Sequence, residues 1–99
     1  MCRRIIFVDV DDTLIRSYGS KRIPMHSVVE NIRALHKAGN FLYLWSSGGA
    51  EYARNSAAEL GIESLFSAFL PKPDVYIDDQ PVHEWRTCRH ILPHNANDA

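Results

Sequence analysis

At 99 residues, with 45% hydrophobic and 23% charged side chains, the chain has the composition of a soluble globular protein and the length for a single domain, 1–99, with one core. A formal net charge of −1 excludes a general electrostatic field for nucleic acid or an anionic membrane, although local basic patches remain compatible with it. No apolar run approaches the roughly 20 residues that span a bilayer, and the short run after Arg3 and Arg4 is too brief for a secretory signal, so a cytoplasmic protein without a membrane partner is expected. Cys2 and Cys88 lack metal-site spacing and read as two reduced thiols.

In chain order, Ile5 to Val10 is apolar and mostly β-branched and predicts a first strand. Thr13 to Ile23 is polar and turn-rich and reads as irregular. Pro24 suits a first helical position, and Val28, Ile32, Leu35 and Ala38 follow at helical spacing up to a stop at Gly39. Phe41 to Trp45 predicts a second strand, ended by Ser46 and Ser47. A second helix runs to about Leu60, with Ala53, Ala57 and Leu60 on one face. Leu65 to Leu70, Val75 to Ile77 and about Thr87 to Leu92 complete the predicted strands, and the polar tail over about 93–99 is expected to fray. Strands alternating with helices predict a doubly wound parallel sheet covered on both faces, with ligands bound beyond the carboxyl ends of its strands.

Those ends carry the chemistry. Asp9 and Asp11 close the first strand, and Asp78 and Asp79 close the Val75 to Ile77 run. Carboxylates gathered on one rim repel and are costly to desolvate, and a hard divalent cation such as Mg2+ resolves the conflict. A carboxylate there can attack phosphorus, and a second carboxyl can serve as acid and then base. A serine at the start of a helix, as Ser46 is placed, suits a phosphoryl group, and Lys72 adds positive charge where negative charge is crowded. Ser47 either joins that contact or caps the second helix.

Asp9-Val10-Asp11-Asp12-Thr13, Phe41 to Ser46, Lys72, and Val75 to Asp79 together resemble, in order, the four signatures of the haloacid dehalogenase superfamily. The resemblance implies strand order 5-4-1-2-3 with Asp9 central, Asp9 as nucleophile and Asp11 as general acid/base. It also implies phosphoryl contacts from Ser46 and Lys72, and Mg2+ held by Asp9, the Asp11 carbonyl and Asp78. Neither Ser17 to Ile23 nor Ser47 to Pro71 has room for the cap domain that many members carry. The expected protein is therefore a capless, magnesium-dependent phosphomonoester phosphatase working through an aspartyl-phosphate. Its open site would admit a large phosphorylated substrate, with nucleic acid only as substrate, and would be compatible with closure by a homo-oligomer. Two rivals stand beside this reading: a phosphate-binding protein of the same fold without turnover, and a receiver-like phosphorylation switch, which the order of the motifs disfavours.

Overall fold

In the computed structural model, which describes residues 3–99, the apolar run after Arg4 forms β1 (Ile5–Asp9). The chain then makes an antiparallel hairpin of β2 (Ile15–Tyr18) and β3 (Lys21–Pro24), with Ser17 opposite Arg22. There follow α1 (His26–Lys37), β4 (Phe41–Ser46), α2 (Ala50–Glu59) and β5 (Phe66–Pro71). Strands β1 and β4 pair in parallel from Ile5 opposite Phe41 to Asp9 opposite Trp45. Strand β5 pairs in parallel on the other side of β4, ending with Ser46 opposite Pro71. The sheet order is β1-β4-β5, and the hairpin forms a separate two-stranded unit.

The expected doubly wound sheet of order 5-4-1-2-3 is therefore corrected to a three-stranded parallel sheet with a separate hairpin. Asp9 ends an edge strand, not a central one. Val75, Tyr76 and Ile77 form no strand and are exposed at 78%, 51% and 98%. Three apolar residues between Pro73 and Asp78 offer few ladder bonds, and proline offers none at its nitrogen. Thr87 to Leu92 also lacks strand structure. The segment expected to be irregular contains the hairpin, and Pro24 ends β3 instead of opening α1. The tail, expected to fray, makes 3-10 turns over Pro93–Asp98, and Ala96 packs against the core.

One sheet face is covered. Val8, Val10, Leu42 and Leu44 turn to a core shared with Val28, Val29 and Ile32 of α1, Ala53 and Ala57 of α2, and Leu14, Ile15, Ile62 and Phe66. On the other face, Phe7 stacks on Tyr43 at 5.3 Å between ring centres and meets Trp45 edge-on at 4.9 Å. The strands are apolar on both faces, as two-sided burial would require, yet Ile5, Phe7 and Phe41 remain exposed. Among the described residues, no helix is long and apolar enough to cross a membrane.

A tight turn after β1 positions the first carboxylates. The Val10 carbonyl accepts from the amides of Thr13, Leu14 and Ile15, and Asp12 takes a left-handed conformation with φ of 60°. That conformation strains an L-residue, although aspartate bears it better than most. Asp12→Gly is expected to raise stability by up to about 1 kcal/mol, read as a higher urea midpoint at unchanged slope. A lower midpoint would mean that the Asp12 side chain supports the turn.

Candidate functional site

Four segments converge at the carboxyl ends of β1 and β4. The turn after β1 brings the Thr13 hydroxyl back to Asp9, donating to Oδ2 at 3.1 Å. From the far side of the sheet, the backbone amide of Lys72 donates to the Ser46 carbonyl at 2.9 Å, which extends the β5–β4 pairing by one residue. The Lys72 side chain then crosses β4. Its Nζ lies 5.8 Å from the centre of the Trp45 ring and 3.1 Å from Asp9 Oδ1. Both oxygens of Asp9 are thus engaged by donors, and the side chain keeps 30% of its exposure. The carboxylate is fixed between a cation and a hydroxyl and is still open to solvent, and a partly exposed ion pair of this kind contributes little to folding.

Asp11 belongs to a second contact set. Its Oδ1 accepts from the Tyr52 hydroxyl at 2.6 Å. Tyr52 in turn accepts from Arg22 Nη1 at 2.8 Å, while Arg22 reaches Ser56 Oγ at 3.1 Å and Glu59 at 3.1 and 3.3 Å. The bond to Tyr52 and the Glu59 carboxylate hold the Arg22 guanidinium above the ordinary arginine range, against the opposing effect of burial. A guanidinium keeps its charge in proteins in any case, so Arg22 is a fixed cation beside Tyr52.

Ser46 is buried at 1% exposure, and its Oγ accepts from the Gly48 amide at 3.0 Å. The hydroxyl retains its own proton to donate. Ser47 is exposed and does not cap α2, which starts after Gly49 with no side-chain cap. The first amides of α2 consequently have no side-chain acceptor, the condition in which a helix start suits an anion. Gly48 is required by close approach: a Cβ there would lie 2.9 Å from Tyr52 Cδ2 and 3.4 Å from Ser46 Oγ.

The structure thus joins Asp9 to Lys72 and Thr13, and Asp11 to Tyr52. It does not bring in the second acidic pair. Asp78 and Asp79 lie in an exposed, strandless segment, and Asp78 Oδ1 accepts from the amide of Gln80. Among the described residues, no three His, Cys, Asp or Glu side chains gather as a metal-binding group. Magnesium in its common form is held by one or two protein oxygens together with phosphate oxygens and water. At β1 those oxygens would come from the Asp9 carboxylate and the Asp11 backbone carbonyl.

Thr13 entered the sequence reasoning only as part of the Asp9 to Thr13 motif, and Tyr52 did not enter it. Tyr52 did leave a signal: an aromatic residue with a polar tip in the first turn of the helix that starts beside Ser46. Cys88 is exposed, and Cys2 lies outside the described residues.

Comparison with protein families finds a match, over residues 1–74, to a family described as "Protein of unknown function (DUF705)". That match replaces the haloacid dehalogenase resemblance, which no comparison supports and which the three-stranded sheet does not reproduce. No curated protein and no solved structure matches the chain. The matched region contains Asp9, Asp11, Arg22, Ser46, Tyr52 and Lys72 but not Asp78, and covers most of the sequence, so the chain belongs to the DUF705 family.

Proposed function

We propose that this chain hydrolyses phosphate monoesters at Asp9, with Mg2+ as cofactor. The observation that carries the reading is the Asp9 carboxylate, held at the end of β1 between the Lys72 ammonium and the Thr13 hydroxyl. An Asp9 oxygen attacks phosphorus, the bond from phosphorus to the ester oxygen breaks, and Asp11 gives a proton to the departing alcohol. Water then attacks the phosphorus of the aspartyl-phosphate, Asp11 takes the proton of that water, and inorganic phosphate leaves with Asp9 restored. Lys72 offsets the charge that gathers on the phosphoryl oxygens. The Ser46 hydroxyl, with Ser47 and the uncapped start of α2, supplies donors to the same group. Magnesium, when bound, would supply positive charge that offsets the charge of the phosphoryl group.

The exposed position of Asp78 favours a second reading, a phosphate-binding protein without turnover. Hydrolysis of p-nitrophenyl phosphate separates the two. Turnover that requires magnesium and stops in excess chelator supports the phosphatase. Binding of inorganic phosphate without turnover supports the alternative, and turnover that persists in chelator removes the metal.

A further inference from the structure

A guanidinium can only donate hydrogen bonds, whereas a phenol both donates and accepts. Tyr52 lies 2.8 Å from Arg22 Nη1 and 2.6 Å from Asp11 Oδ1, so the direction of the chain is fixed. Arg22 donates to Tyr52, and the single Tyr52 proton points to Asp11. From this geometry we infer that Tyr52 is the positioning residue for Asp11, itself held from the β2–β3 hairpin by Arg22.

The arrangement is over-determined around the phenol. The Arg22 guanidinium lies 5.4 Å from the centre of the Tyr52 ring and is fixed along α2 by Ser56 and Glu59. Gly48 leaves the opening in which the ring sits, since a Cβ there would collide with it. Asp11, in contrast, is exposed, and among the described residues no side chain other than Tyr52 hydrogen-bonds its carboxyl group. Binding of Oδ1 by Tyr52 assigns proton exchange to Oδ2. It also links the hairpin to the site, because a hairpin that swings away takes Arg22 with it and loosens Tyr52.

This inference rests on the proposed reading, in which Asp11 exchanges the proton, so its test has one arm that needs no turnover. Tyr52→Phe keeps the ring against Gly48 and removes one hydroxyl. In protein labelled with 13C at aspartate carboxyl carbons, the Asp11 signal, assigned with Asp11→Asn, is expected to move in Tyr52→Phe. It should move in the same direction in Arg22→Gln and stay in place in Tyr76→Phe. In p-nitrophenyl phosphate hydrolysis, Tyr52→Phe should lower kcat by about tenfold or more while KM stays within about twofold, as misorientation of a proton-transfer group does. An unmoved Asp11 signal in Tyr52→Phe overturns the inference, as does a wild-type kcat. If the wild-type protein has no turnover, the phosphatase reading falls, and the carboxyl signal alone decides whether Tyr52 positions Asp11.

Discussion

Asp9→Asn is expected to abolish phosphomonoester turnover, a loss of at least about a thousandfold, because a neutral amide cannot attack phosphorus. The substitution is nearly isosteric, and the amide oxygen can still accept from Thr13 or Lys72, whose bonds to Asp9 are both 3.1 Å. The ion pair itself is partly exposed, with 38% of the Lys72 side chain open to solvent, so unfolding should change by less than about 1 kcal/mol. Steady-state hydrolysis and a urea titration on the same preparation check both halves. A variant that folds normally and keeps a tenth of wild-type turnover would remove Asp9 as the nucleophile.

Leu44→Ala should have the largest effect on stability. Leu44 is fully buried in the middle strand, between β1 and β5, and faces the core shared with both helices. Removing its branched end forfeits transfer energy and leaves a cavity that parallel neighbours on both sides cannot close, a cost of about 3 kcal/mol. Against a total stability of roughly 5 to 15 kcal/mol for a domain of this kind, that is a large fraction. Urea unfolding measures it. A cost below about 1 kcal/mol would mean that this core repacks freely.

The elements nearest the site were legible in the sequence because each carried its own signal. The β-branched run ending in Asp9, the continuous apolar run ending in Ser46, and the helical spacing of Val28 and Ile32 all appear where the sequence pattern placed them, within a residue or two. Asp9 and Lys72 meet, as the need to balance charge on one rim suggests. The failures lie where local pattern gives no information about partners. Val75 to Ile77 has strand composition but no pairing, and a strand exists only as half of a ladder. Thr13 to Ile23 has turn composition yet contains paired strands, because Ser17 and Arg22 meet across a short connection that polarity alone does not reveal. The Arg22–Tyr52–Asp11 chain was illegible for the same reason: its members lie on three different elements.

The parallel pairing has a kinetic side. No two neighbouring strands of the main sheet are joined by a hairpin, so every pairing must wait for a long crossover to close, and long closures delay folding. The hairpin and both helices can form from local contacts, but Asp9 cannot meet Lys72 until β5 has docked on β4 and β4 on β1. On a ribosome, Asp9 stays without its lysine until the residues between them have been made and nearly the whole family region has left the tunnel. The contact between Asp9 and Lys72 is thus among the last contacts of the sheet to form.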